Sequence, residues 1–146
     1  MNAAQAGEEL KRLAEAYADA ALRAGVPAMT EALLYLHGRI PEYADPIVGS
    51  RYRRSLTLGR RWTEQVELLD DAVVGQIGTN VAYAPWVVGP DHPGADFGGT
   101  TKYQAKVHKG RWWQFESVME ANVDGAWAEF EAAYWPALAK ELGGVR

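Results

Sequence analysis

The stretch Ile77-Gly78-Thr79-Asn80-Val81-Ala82-Tyr83-Ala84-Pro85-Trp86-Val87-Val88 decides how this chain folds. It is apolar, with Gly78 and Asn80 where the backbone must turn, and it closes on a Tyr-Ala-Pro-aromatic sequence that ends a strand. Upstream of it, Ala72 to Ile77 is β-branched and predicts a strand ending at Gly78. Val81 to Val88 is expected as the next strand, placed at an edge or a bulge because Pro85 cannot donate to a ladder. Ser55 to Leu58 alternates polar and apolar residues, as Val66 to Leu68 does less clearly, so a hairpin or meander is the economical reading. Thr101 to Val107 is a candidate for one further strand.

Helical spacing brackets this β region. From Glu8 to Ala24 the residues Leu10, Leu13, Ala14, Tyr17, Ala20, Ala21 and Ala24 recur at three- and four-residue intervals, and Gly25 with Pro27 supplies a stop. A second, shorter helix is expected over Met29 to His37, closed by Gly38. Trp113 to Leu142 carries a broad apolar stripe; Gly125 weakens it, and Pro136 is expected to kink or divide it. The expected fold class is therefore α+β, a single domain over 1–146. In it, a small antiparallel or mixed sheet packs against an N-terminal helix and a long C-terminal helix. Pro and Gly mark two long loops, 38–50 and 89–101, of a length that usually serves function.

Composition fits that size. The chain has 146 residues, of which 48% are hydrophobic, enough for one core without metals or disulfides. There is no cysteine, which removes thiolate chemistry and cysteine-ligated zinc and fits a reducing compartment. The N-terminal residues Glu8, Glu9, Lys11 and Arg12 do not resemble a signal peptide, and no run approaches the ~20 apolar residues of a membrane span. A soluble protein made in the cytoplasm, without membrane partners, is expected.

No catalytic or cofactor site is predicted. His92 with Asp91 and Asp96 has poor metal-ligand spacing, and Asp91-His92-Pro93-Gly94 fits a turn better. His37 is expected at a helix end and His108 at a strand end. Ser50, Ser55 and Ser117 belong to no nucleophile motif. The pairs Asp70 with Asp71 and Glu64 with Glu67 look like solvated surface residues, and the glycines between Gly89 and Gly99 match no phosphate-binding fingerprint. Metal, cofactor and catalytic residues are accordingly expected to be none.

Charge is segregated instead. Arg51, Arg53, Arg54, Arg60 and Arg61 form a basic segment with no acidic residue between Asp45 and Glu64. The acidic counterpart is Glu116, Glu120, Asp124, Glu129, Glu131 and Glu141 on the final helix. That arrangement suits heterologous contacts, in which one face of a subunit meets a different face of its neighbour; each arginine taken alone fits a solvated strand flank equally. Arginine contact with DNA phosphates is a third reading, but the net charge of −4 opposes general DNA binding. Of six tryptophans, Trp127 and Trp135 are expected in the core. Trp86 beside Pro85, and the adjacent Trp112 and Trp113 following Arg111, are candidate interface anchors. Neighbours in sequence cannot both face inward on a regular helix or strand, so one of that pair is expected outside, or else both partly buried under the 89–101 loop.

The order of these parts resembles the minor tail component and head-tail joining proteins of long-tailed bacteriophages. The likeness rests on the N-terminal amphipathic helix, Pro46 to Gly49 leading to Arg53-Arg54-Ser55-Leu56, and Gly78-Thr79-Asn80-Val81-Ala82-Tyr83-Ala84-Pro85. A Gly-rich insertion and the helix opened by Gly110-Arg111-Trp112 complete it. The chain departs from the pattern at Val48, where many members carry Thr, and at Val87 and Val88, where an acidic residue is common. The resemblance implies a virion protein of the tail or neck: a homo-oligomer, often a hexameric ring, touching neck and tail-tube proteins and incidentally the packaged DNA. Tail terminator and neck adaptor both stay open. From this, reversing Arg53 and Arg54 to Glu is expected to prevent ring assembly without unfolding the chain. The alternative is a small soluble ligand-binding domain or enzyme with a pocket between the sheet and the final helix.

Overall fold

A computed structural model describes residues 3–41, 48–49, 57–90 and 103–143. Its frame is two long helices, α1 (Ala3–Gly38) and α3 (Phe115–Gly143). Between them in sequence come a 3₁₀ turn (Leu58–Arg60), strands β1 (Trp62–Leu68) and β2 (Val73–Thr79), and a short helix α2 (Ala84–Val88). The α+β expectation holds: an N-terminal helix, a two-stranded antiparallel sheet and a long C-terminal helix.

The helices run antiparallel, since Arg23 reaches Glu141 while Tyr35 packs over Gly125. Small side chains allow close approach of the two axes. Ala20, Ala24, Ala28 and Ala32 are buried along α1, and Ala126 along α3. A Cβ at position 125 would overlap the Tyr35 ring, so Gly125 is a packing residue as well as a weak helix former.

Two helix expectations are corrected. The predicted stop at Gly25 and Pro27 does not occur, and the two expected helices are one. Gly25 is instead where β2 rests on α1, because a Cβ there would lie 3.0 Å from Val73 Cγ2. Pro136 lies inside α3, so of the kink or division expected there, the division does not occur. Both prolines sit on exposed sides of their helices, so water can satisfy the carbonyl that each leaves without a donor. Tertiary packing around Ala24 and Ala28 outweighs the local cost of Pro27.

The hairpin is in register from Trp62↔Thr79 to Leu68↔Val73, and Leu69 N–H donates to Ala72 O at 2.8 Å across the Asp70-Asp71 turn. One face of β1 carries buried Trp62 and half-buried Glu64 and Val66, while Thr63, Gln65 and Glu67 are exposed. The sheet lies on α1, with Met29 and Leu33 against Gly75. His37 Nδ1 donates to Glu64 Oε2 at 2.7 Å, so Glu64 is a tertiary contact and not the solvated surface residue expected.

The expected strand Val81 to Val88 is also corrected: its second half is α2. Proline is favoured in the first turn of a helix, where its missing N–H would have no partner, and Pro85 occupies that place. Ala84 and Val88, four apart, then bury together. No strand forms over 103–107, which is irregular backbone leading into a turn, so His108 is a turn residue and not a strand end. Most of the 38–50 and 89–101 loops, and Ser55 and Leu56, lie outside the described residues. Among those described, no helix is long and apolar enough to cross a membrane.

Candidate functional site: a basic aromatic end and an exposed helix face

Leu58, Trp62, Ala84 and Val88 form a second core at the end of the molecule where α3 begins. Ile40, Val81, Val87, Trp112, Trp113 and Phe115 pack around it. Trp62 stacks on Phe115 with ring centroids 4.8 Å apart and planes within 2°, and it meets Trp113 at 5.9 Å. The indole N–H groups of Trp62 and Trp113 are buried and meet no acceptor among the described residues.

Residues 103–112 close this end through a compact set of hydrogen bonds. Gln104 is almost fully buried, and its Nε2 donates to Val87 O at 2.7 Å and to Trp112 O at 3.2 Å. Its backbone N–H reaches Pro90 O, and that of Ala105 reaches Trp86 O. The chain then turns through Gly110 at φ 73°, where a left-handed backbone favours glycine, and Trp112 N–H returns to His108 O at 2.9 Å. Burial, and next the charge of Arg111, hold His108 below the ordinary histidine pKa.

The fold gathers the predicted anchors that fall within the described residues. Arg60 and Arg61 are exposed beside Leu58 and Trp62, and Arg111 is exposed beside Trp112 with Lys106 and Lys109 on the same turn. Trp86 is 41% exposed and faces Tyr103 at 6.1 Å. Trp112 and Trp113 are both half-buried, because they lie in irregular backbone before α3, where the alternation of a regular element does not apply. Arg51, Arg53, Arg54, Asp91, His92 and Asp96 lie outside the described residues. Among the described residues, no group of three or more metal-ligating side chains gathers.

The acidic counterpart is largely where expected. Glu116, Glu120, Asp124, Glu129 and Glu131 are exposed on α3. Glu141 is the exception, held by Arg23 Nε at 2.8 Å within the same chain.

The expectation that Trp127 and Trp135 are core residues is overturned, since they are 59% and 62% exposed. Gly125 and buried Ala126 occupy the side of α3 that meets α1, and Trp127 and Trp135 lie off it. Trp127 stacks on half-buried Phe130 at 5.0 Å, and Phe130 on half-buried Tyr134 at 5.5 Å. The sequence signal for this was present: apolar residues surround α3 instead of marking one stripe, and one packed neighbour cannot cover them all.

The first half of α1 is a second surface that the sequence reading missed. Beyond Arg23 the helix continues to Ala3, while Gly143 is the last described residue of α3. At ~1.5 Å per residue the overhang is roughly 25 Å. Leu10 and Tyr17 are 68% and 52% exposed on it. The basic aromatic end thus presents exposed cationic and aromatic side chains, and among the described residues the N-terminal half of α1 extends past the end of α3. No family model, no curated protein and no solved structure matches the chain.

Proposed function

We propose that this chain is a non-enzymatic virion subunit that completes a phage tail or joins it to the head, working as a homo-oligomeric ring in the tail or neck. The observation that carries this reading is the polarity of the subunit. A basic aromatic end around Arg60, Arg61 and Arg111 stands at the start of α3, whose outer surface is acidic from Glu116 to Glu131. Unlike surfaces on one chain suit head-to-tail contacts that close into a ring. Opposed charge sets orientation and encounter rate, while the exposed aromatics supply area to bury. The parts of the ring and its neighbours in the particle follow from the resemblance to head-tail joining proteins. The test is the native mass of the purified chain beside the double variant Arg60→Glu/Arg61→Glu. Loss of the oligomer with the fold retained supports the charge contact, and an unchanged oligomer removes it.

A further inference from the structure

Segments 57–63, 81–90 and 103–115 build the end of the molecule where α3 begins. They are joined by the core around Leu58, Trp62, Ala84 and Val88 and by the hydrogen bonds of Gln104 and Ala105. Together they carry Arg60, Arg61, Lys106, Lys109 and Arg111, all exposed, and no aspartate or glutamate. The net charge of −4 is carried elsewhere, largely on α1, on β1 with its turn, and on α3. Of the flanking carboxylates, Glu64 is held by His37, and Glu116 opens the acidic side of α3. A chain that is acidic as a whole thus presents one cationic end, the electrostatic footprint of a polyanion site.

The same end exposes aromatic rings. Tyr83 and Trp86 are each 41% exposed, and Tyr103 is 36% exposed. The rings of Trp86 and Tyr103 lie 6.1 Å apart with their planes at 57°, so neither covers the face of the other. Buried Gln104 sets this arrangement: its bonds to Val87 and Trp112, with Ala105 N–H on Trp86 O, hold residues 103–106 against α2. Tyr103 is thereby placed beside Trp86, and Lys106 follows within the same anchored segment. Cations track phosphates, whereas ring faces take unpaired bases. Duplex bases are already stacked on one another, and an acidic peptide would use the cations alone.

We infer that this end binds single-stranded nucleic acid, with its five cations along the phosphates and Trp86 and Tyr103 under the bases. The site is complete in one copy of the chain, so it goes beyond the assembly reading and does not require it.

The test is fluorescence anisotropy of a labelled oligothymidylate of about 15 nucleotides, the reach of one small binding module. It is titrated with the purified chain from about 50 mM salt upward. Saturable binding is expected, with log K falling against log salt at a slope of about −0.7 per phosphate contact. Lys106→Glu/Lys109→Glu is expected to weaken binding roughly tenfold or more and to flatten that slope. Trp86→Leu/Tyr103→Leu is expected to cost a similar factor and leave the slope unchanged, because stacking releases no counterions. Far-UV circular dichroism checks folding, and Lys106→Ala with competition by a duplex replaces any variant that loses helicity. An oligothymidylate that does not bind, or binds both variants as it binds the unaltered chain, would overturn the site. A duplex of the same length, or polyglutamate, competing as strongly as the single strand would also overturn it, in favour of duplex backbone or an acidic protein surface. Native mass separates this inference from the assembly reading, since Lys106→Glu/Lys109→Glu keeps Arg60 and Arg61. Loss of binding with any oligomer retained supports the site. An oligomer of the unaltered chain that takes up no oligothymidylate overturns the site alone, and a monomer that binds it supports the site while the assembly reading fails.

Discussion

Arg23 Nε donates to Glu141 Oε2 at 2.8 Å, and this contact marks where α1 leaves the cover of α3. C-terminal to Arg23, the alanine-lined side of α1 is buried; N-terminal to Asp19, nearly every residue is exposed or half-buried. The guanidinium and carboxylate are 49% and 34% exposed, so the pair fixes alignment more than it adds stability. The consequences for packing, turn structure, pH response and assembly can be measured separately.

Gly125→Ala is expected to destabilise the fold by about 1–3 kcal/mol, because the added methyl overlaps the Tyr35 ring that packs α1 on α3. Helix propensity alone predicts the opposite sign, a gain of ~1 kcal/mol. Thermal unfolding decides between them, and a raised melting temperature would show that the two helices have room to spare.

Gln104→Leu keeps most of the side-chain volume but leaves the carbonyls of Val87 and Trp112 without this donor. The expected cost is about 1–3 kcal/mol in denaturant unfolding. Near-UV circular dichroism should change with it, since Trp86 and Trp112 both lie beside the turn that Gln104 holds.

His108 should make stability depend on pH. Its folded-state pKa is lowered by burial and then by Arg111, so the unfolded chain takes up the proton first as pH falls. The contribution is full above the ordinary histidine range and is lost as pH falls below about 6.5. His108→Gln is expected to flatten the stability profile just below that pH, and an unaltered slope would assign it to another group.

How much of this was legible in the sequence depended on whether local pattern or tertiary contact decided the outcome. The hairpin was legible because Ala72 to Ile77 is β-branched and bounded by Asp70-Asp71 and Gly78. The unbroken α1 was not, because Gly25 and Pro27 are local breakers whose effect is outweighed by Val73 resting on Gly25 and by the burial of Ala24 and Ala28. Pro85 fits a strand edge or a first helical turn equally, and the i, i+4 burial of Ala84 and Val88 that settles it is tertiary. Of the candidate anchors, Arg60, Arg61, Trp86 and Arg111 are exposed. The exposure of Trp127 and Trp135 went against the core expectation, because helical spacing tells which residues share a face but not whether anything covers it.

The most direct test of the assembly account is the native mass of the purified chain over a concentration series at low and moderate salt, beside Arg60→Glu/Arg61→Glu. The account predicts one closed oligomer that is weakened by salt, as exposed charge contacts are, and lost in the variant while helicity is retained. An oligomer indifferent to both salt and charge reversal would contradict the charge-led contact, and a chain that remained monomeric under every condition would contradict self-assembly into a ring.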